Sequence, residues 1–268
     1  MKFTGCLFTA LVLSITAPPG YGQDMSGFVE RDGRLYIALD PAISEDAYTA
    51  ASVATNMSAS PHVRAMAIHV LTNNPSAHID ALRMATRDPA LLCRMNAAEA
   101  LTEYDPAIAA KTAREVLKQL LSSPPARSSE YYNGHRAAKL LAKTGDPSGF
   151  NFVTNRLTHA KFLSEKVGSL DVLPEFRLFP EVAASQVVLQ FIESTIPVLA
   201  QEDPVSRQEA NILLSRSLLA LYRLQAVDAL PQMRTWGPRL PDNLQKELDY
   251  TIRRLEAIKD MSDGVSFK

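Results

Sequence analysis

Hydrophobic positions along much of the chain recur three or four residues apart, which is the spacing of one face of an α-helix. Between Pro89 and Tyr104 two such stripes run side by side and leave one narrow polar line. A helix that is apolar on two sides needs neighbours on both, so we expect this segment inside a stack of helices. Stripes with the same spacing predict further helices at 109–121, 187–192, 210–221 and 244–258.

Proline repeatedly follows a short polar residue along the chain. An Asp, Ser or Asn side chain accepts a hydrogen bond from the free N–H groups of a first helical turn, and proline at the first helical position lacks only a donor that had no partner. Each pair therefore predicts a helix start. The pairs are Asp40-Pro41, Ser60-Pro61, Asn74-Pro75, Asp88-Pro89, Asp105-Pro106, Ser123-Pro124, Asp146-Pro147 and Asp203-Pro204.

Residues 60–71, with the sequence SPHVRAMAIHVL, combine a proline turn, Val-Arg, small residues and a closing leucine. This segment resembles the first helix of a HEAT-type repeat, and 88–101 and 135–147 are similar. The resemblance covers helix pairs at about 60–87, 88–122 and 126–160. It implies an all-α fold, namely an α-solenoid of HEAT-like helical hairpins, to which we add a small N-terminal β-hairpin.

That hairpin is predicted by Asp32-Gly33, which separates two short apolar segments between Gly27 and Asp40. We interpret it as a cap on the end of the helical stack, with a lid or a docking edge as the alternative. Residues 162–180 combine large apolar side chains with Gly168, Pro174 and Pro180. We expect this irregular segment to pack against the stack, and the alternative is an element of a partner-binding groove.

The N-terminus has the features of an export signal. Met1-Lys2 gives a positive start, an apolar run of about 15 residues follows, and small residues precede Gln23. The run is shorter than the roughly 20 residues that span a bilayer. We therefore predict cleavage after Gly22, a periplasmic or secreted protein and no integral membrane segment after cleavage. Removal of Cys6 would leave Cys93 as the one cysteine, without a partner for an internal disulfide.

These boundaries divide the chain into six parts. They are a signal peptide (1–22), a β-hairpin flap (23–40), HEAT-like helical repeats (41–161), an irregular apolar connection (162–180), C-terminal helical repeats (181–260) and a tail (261–268).

Charge and composition narrow the range of partners. The chain has 28 Lys and Arg against 29 Asp and Glu, and 46% of its residues are hydrophobic. A buried core is therefore expected, and without a basic cluster we expect no nucleic-acid partner. We find no sequence signature of a phosphate-binding loop, a dinucleotide fold or a hydrolase, and we predict no cofactor.

Three features of the sequence are candidates for a chemical role. His62, His69 and His78 lie close in sequence, but no Cys or carboxylate completes a recognised zinc spacing, so we expect ordinary histidines. Glu99 and Glu103 lie one helical turn apart; we expect a solvated pair neutralised by Arg94 or Arg83 rather than an acid/base pair. Cys93 lies in an alanine stripe and is expected to be buried and unreactive.

The strongest candidate for an interaction surface is the polar and aromatic segment around Tyr131, Tyr132, His135 and Arg136. Tyrosine, histidine and arginine favour contacts with other proteins, and the alternative is a turn whose tyrosines pack inward. We expect an exported scaffold or protein-binding module without catalytic activity, because stacked helix pairs form a long face without a deep pocket. The alternatives are an enzyme with a dispersed site near 162–180 and a structural subunit of an envelope assembly.

Overall fold

A computed structural model of the protein describes residues 28–31, 34–37, 50–122 and 128–265. Two short strands, β1 (Phe28–Arg31) and β2 (Arg34–Ile37), pair antiparallel, with Phe28 opposite Ile37 and Arg31 opposite Arg34. The cap or lid function predicted for this hairpin stays a prediction. The predicted leader, the predicted helix start at Asp40-Pro41 and the one at Ser123-Pro124 lie outside the described residues.

From residue 50 onward the described chain is helical. The α-helices are α1 (Ala50–Thr55), α2 (Pro61–Leu71), α3 (Ile79–Ala85), α4 (Leu91–Ala100), α5 (Pro106–Ser122), α6 (Ser128–Lys143), α7 (Phe150–His159), α8 (Leu163–Val172), α9 (Ala184–Thr195), α10 (Pro204–Leu224), α11 (Leu230–Met233) and α12 (Asp242–Val265). Short 3-10 turns occupy Pro75–His78, Pro147–Gly149, Leu173–Leu178, Pro180–Val182, Ile196–Ala200, Val227–Ala229 and Gly237–Arg239. The prediction of an all-α fold is confirmed for this part of the chain.

The capping residues start helices in different ways. The Ser60 hydroxyl accepts a hydrogen bond from the N–H of Val63, and the Asp203 carboxylate accepts from Val205 and Ser206. Asp146 caps a 3-10 turn through the N–H of Ser148. Asn74 makes no capping bond and precedes a 3-10 turn. Aspartate and serine in the proline pairs therefore satisfy free N–H groups as expected, and the one described asparagine does not.

The helices pack in two rows. In one row α2 contacts α4, α4 contacts α6, α6 contacts α8, α8 contacts α10 and α10 contacts α12. The alternate helices lie against this row, since α5 packs between α4 and α6, α7 against α6 and α8, and α9 against α10. One continuous apolar core runs through both rows, from Ala54 to Leu255.

Two glycines allow the helices around α6 to approach closely. A Cβ at Gly134 would lie 2.2 Å from Cζ of Phe152 on α7, and one at Gly168 would lie 3.1 Å from Cε1 of His135. Side chains at these positions would push α7 and α8 away from α6. Glycine is therefore part of the packing at the centre of the described helices.

The apolar segment 162–180 is more regular than its sequence suggested. It forms α8 and then a 3-10 turn, and Leu173 and Phe176 are fully buried in the core. Helix α12 also continues to Val265, past the boundary at 260. Gly168 lies inside α8 and does not end the helix, and its missing side chain leaves room for the ring of His135.

One described segment, Pro180–Ala200, meets the length and hydropathy criteria for a membrane span. Buried helices of a protein core meet the same criteria, and 39% of this window is buried inside the fold. Val188, Leu189 and Ile192 of α9 lie in the core. This segment is therefore weak evidence for a membrane span.

Candidate functional site

The four candidate interaction residues lie on α6, but the helix presents them on two faces. Residues four apart share a helical face, so Tyr132 pairs with Arg136 and Tyr131 pairs with His135. Tyr132 is 62% exposed, whereas His135 is buried at 5%. The structure thus brings Tyr132 and Arg136 to one surface and places Tyr131 and His135 towards α7 and α8. His135 belongs to the packed interior and not to the predicted interaction surface.

Tyr132 and Arg136 line an open cleft of about 920 Å³ between α2, α4 and α6. We call it the tyrosine groove, and its lining includes His69, Asn96, Glu99, Glu103, Tyr104, Tyr132, Arg136, Lys139 and Lys143. Tyr104, in the turn after α4, is 44% exposed, so two aromatic rings are available to a ligand. The groove is broad and carries charges of both signs.

Arg136 is held in the groove by a fork of hydrogen bonds to Glu99. Its Nε lies 2.9 Å from one carboxylate oxygen, and its Nη2 lies 2.6 Å from the other. Nη2 also donates to the side-chain oxygen of Asn96 at 2.7 Å. The guanidinium lies 5.8 Å from the ring centroid of Tyr132. The pairing fixes Arg136 as a link between α4 and α6 and positions Tyr132 beside it.

The observed partner of Glu99 is not one of the two arginines expected from the sequence, Arg94 and Arg83. Arg94 instead donates to Gln119, and Arg83 pairs with Asp80 and Asp105. The partner is Arg136, because α6 packs directly on α4 and carries its arginine across the contact. Within the described residues Glu103 forms no ion pair, while Lys139 pairs with Glu175 at 3.2 Å.

Tyr131 and His135 belong to a buried polar group between α6, α7 and α8. We call it the junction cluster, and it consists of Tyr131, His135, Arg156, Glu165 and Ser169. The Ser169 hydroxyl donates to the carbonyl of Glu165 at 3.0 Å, and Nε2 of His135 lies 3.0 Å from the same hydroxyl oxygen. Nη1 of Arg156 lies 3.6 Å from Oε2 of Glu165. The guanidinium carbon of Arg156 lies over the ring of Tyr131, 4.5 Å from its centroid.

Burial sets the protonation of this cluster. It lowers the pKa of His135 from 6.5 to about 4, and the nearby charge of Arg156 acts in the same direction. Burial also raises the pKa of Glu165 against the opposing effect of Arg156. At neutral pH His135 is therefore uncharged.

The sequence also singled out Cys93 and three histidines between residues 62 and 78. Cys93 is fully buried, its thiol donates to the carbonyl of Pro61 at 3.2 Å, and burial raises its pKa to about 12, as expected for an unreactive cysteine. His62 and His69 are exposed on α2, and His78 ends a 3-10 turn. Among the described residues, no group of three or more His, Cys, Asp or Glu is arranged to hold a metal ion.

Sequence reasoning missed the two lysines of the groove, Lys139 and Lys143, and it missed Tyr104. Lys139 and Lys143 follow Arg136 at three- and four-residue steps, so helical spacing alone could have placed them on its face. Tyr104 lies in a turn after α4, where periodicity gives no direction.

Comparison with known proteins adds little. No family model matches the chain, and no curated protein matches it. One solved structure that aligns with it is the crystal structure of an engineered protein from a structural genomics consortium. The two are 17% identical, the alignment covers 78% of this chain and 87% of that one, and the TM-score is 0.37. A similarity of this degree supports no statement about fold or function.

Proposed function

We propose that this protein is an exported α-solenoid of HEAT-like hairpins that binds another protein along the tyrosine groove and has no catalytic activity of its own. The order of contacts from α2 through α12 supports the solenoid, because each helix of this row packs on the next along the chain. A stack of this kind exposes an extended face suited to large partners. The apolar run before Gln23 supports export.

The observation that carries the proposal is the combination of exposed tyrosines and a fixed arginine in one open groove. Tyrosine and arginine are enriched among the residues that contribute most to protein interfaces. Tyr132 exposes 62% of its surface, and Arg136 is held beside it by Glu99, so little side-chain entropy is lost when a partner binds.

The charges of the groove indicate which partner surface fits. Glu103 follows α4 and Lys143 ends α6, and both line the groove. Neither forms an ion pair within the described residues. A partner segment with a basic residue facing α4 and an acidic residue facing α6 would pair with both.

The alternative of an enzyme near 162–180 would depend on the junction cluster. Its histidine, glutamate and arginine do converge there, as a catalytic site would require. However, His135 and Glu165 are almost fully buried and Ser169 is fully buried. A substrate could not reach these groups without separating α6 from α8, so we prefer the binding function. A structural subunit of an envelope assembly would use the same groove and differs only in its partner.

Substitution of Tyr132 tests the proposal. We expect Tyr132→Ala to reduce recovery of a bound protein about tenfold when the tagged protein is isolated from the exported fraction of its native cells and analysed by mass spectrometry. The matched control is Tyr250→Ala, because Tyr250 is 53% exposed and also lies beside an arginine four residues later, Arg254.

Two results would contradict the proposal. One is recovery of the wild-type protein only as a partner-free monomer. The other is equal loss of the bound protein in both variants, which would place the interface outside the tyrosine groove. A bound protein that proves to be a second copy of the chain would favour the assembly subunit.

A further inference from the structure

Helix α10 has a row of exposed apolar side chains on its outer face. Val205, Ile212 and Leu219 are 62%, 38% and 41% exposed. They are seven residues apart, and residues at this spacing lie on one side of a helix, shifted by about 20° at each step. We call these three residues the α10 stripe. The opposite side of the helix packs into the core through Leu214 and Leu221. The stripe is therefore apolar surface that the fold itself does not bury.

The stripe differs from the other exposed apolar side chains of the described residues. Single apolar residues on a surface are normal. The other large exposed ones are single within their helix or turn, apart from Tyr250 and Met261 on α12, which are eleven residues apart. Apolar residues that recur every seven positions are the pattern through which one helix contacts another along its length. The α10 stripe therefore predicts a helix as its partner.

Two charged side chains of opposite sign flank the stripe on the same side. Glu209 follows Val205 by four residues, and Arg216 follows Ile212 by four. Within the described residues Glu209 forms no ion pair. Arg216 lies 3.8 Å from Asp171 of α8, which is too far for a hydrogen bond, so its guanidinium keeps its donors free. The edge of the stripe thus has one acidic and one basic group two helical turns apart.

This arrangement is complementary to itself when a second copy of α10 runs antiparallel across a two-fold axis at Ile212. Val205 of one copy then lies opposite Leu219 of the other, and the two Ile212 side chains meet on the axis. Glu209 lies within one residue of the position opposite Arg216 of the second copy, and the symmetry forms this pair twice. A parallel pair of helices would instead place Glu209 beside Glu209 and Arg216 beside Arg216. The charges therefore favour the antiparallel pair.

We infer that the α10 stripe joins two copies of this chain in an antiparallel two-fold dimer. The stripe extends about 21 Å along the helix. A contact of one helix pair is at the low end of specific interfaces, so we expect a dissociation constant in the micromolar range. No residue of α10 lines the tyrosine groove, so the dimer leaves that groove open. A failure of one proposal therefore leaves the other standing.

A cysteine on the two-fold axis tests the register. All proteins are the full chain with Cys6→Ser, and Cys93 stays unreactive because it is buried and its pKa is about 12. We expect Ile212→Cys to form a disulfide-linked dimer on mild oxidation, seen on a non-reducing gel. The matched control is Gln208→Cys, an exposed position one turn earlier. Its thiols would be about 12 Å apart along the helix axis, beyond the reach of a disulfide, so we expect no linked dimer.

Sedimentation velocity over a range of concentrations measures the dimer without a cross-link. We expect Ile212→Glu to weaken it at least about a hundredfold, because two like charges then meet on the axis. Glu209→Arg and Arg216→Glu should each weaken it about tenfold, and the double variant should recover most of the affinity.

Four results would overturn the inference. They are a wild-type protein that stays monomeric even at the highest soluble concentration, equal cross-linking of the two cysteine variants, a double charge variant as weak as the single ones, and a dimer that is lost in Tyr132→Ala. The last result would place the contact between copies in the tyrosine groove.

Discussion

The N-terminal region, α2 to α7, and the C-terminal region, α9 to α12, are stabilised differently. In the first, three aspartates of Asp-Pro turns pair with an arginine of an earlier helix: Asp88 with Arg64, Asp105 with Arg83, and Asp146 with Arg114. We call them the turn ion pairs. In the second region Asp203 caps α10 through its own turn, and among the described residues it forms no ion pair.

The C-terminal region is organised around one carboxylate instead. Glu193 of α9 accepts hydrogen bonds from the indole N–H of Trp236 at 2.6 Å, from Arg239 at 2.9 Å and from Gln232 at 3.3 Å. These bonds, that of Trp236 above all, hold the pKa of Glu193 below its usual value. In the N-terminal region the same Asp–Arg contact therefore recurs at three Asp-Pro turns. In the C-terminal region several side chains depend instead on the single carboxylate of Glu193.

The turn ion pairs also differ in burial. The side chains of Arg64 and Asp88 are 4% and 0% exposed, while those of Arg114 and Asp146 are 54% and 22% exposed. Burial raises the pKa of Asp88, but the hydrogen bonds from Arg64 and from the N–H of Ala90 outweigh it, so its pKa lies below normal. The same contact should therefore have very different energies at the two positions.

The largest expected effect comes from Asp88→Ala. It leaves the buried guanidinium of Arg64 without its carboxylate, so we expect a loss of about 3–5 kcal/mol in the free energy of unfolding. Asp146→Ala removes an exposed pair and one capping bond and should cost about 1 kcal/mol. Urea unfolding followed by far-UV circular dichroism measures both. Equal losses would show that burial does not distinguish the turn ion pairs.

The next effect concerns the junction cluster, which joins α6 and α7 of the first region to α8. The pKa of His135 falls from 6.5 to about 4 on folding, so the unfolded chain binds the extra proton first as the pH drops. The stability due to neutral His135 is thus present above pH 6.5 and is lost as the pH falls towards 4. This loss amounts to about 3 kcal/mol at most.

The His135→Gln variant isolates this contribution. Glu165, whose pKa is raised, titrates in the opposite sense and stays in both proteins, as do Tyr131 and Arg156. We expect the stability difference between wild type and variant to shrink between pH 7 and pH 4, measured by urea unfolding at each pH. A difference independent of pH would mean that His135 does not remain neutral in the fold.

The smallest effect is expected in the C-terminal region from Glu193→Ala. It leaves the N–H of the fully buried Trp236 without its acceptor, at a cost of about 1–2 kcal/mol. Arg239→Ala is the control and should cost less than about 1 kcal/mol, because the side chains of that ion pair are 43% and 34% exposed to solvent. Trp236 is the single tryptophan of the chain, so its fluorescence follows this region alone. If Asp88→Ala shifts the fluorescence transition as far as the circular dichroism transition, the two regions unfold together.

Short-range features were predictable from the sequence. Aspartate before proline correctly predicts the starts of α5 at Pro106 and α10 at Pro204, because the capping bond is formed within the next three residues. The prediction is less accurate elsewhere, since α4 begins only at Leu91, with Ala90 as its cap, and Asp146 caps a 3-10 turn. The two apolar sides of α4 were also predictable, since Cys93, Met95, Ala97 and Ala98 are all buried. These inferences need only the geometry of one helix.

Contacts between helices were not predictable in the same way. Arg64 and Asp88 are 24 residues apart, and Arg136 and Glu99 are 37 apart, so helical periodicity cannot pair them. The four-residue spacing does separate Tyr131 and His135 from Tyr132 and Arg136, but it does not say which pair faces solvent.

The buried state of Cys93 has a practical consequence for spectroscopy. In a chain expressed without residues 1–22, Cys93 is the one native thiol, and its proton is retained at neutral pH because its pKa is about 12. Maleimide dyes and nitroxide spin labels react with exposed thiolates, so Cys93 would stay unlabelled and give no background signal. A single cysteine placed on the rim of the tyrosine groove would then report distances and ligand binding without any need to remove Cys93 from the core.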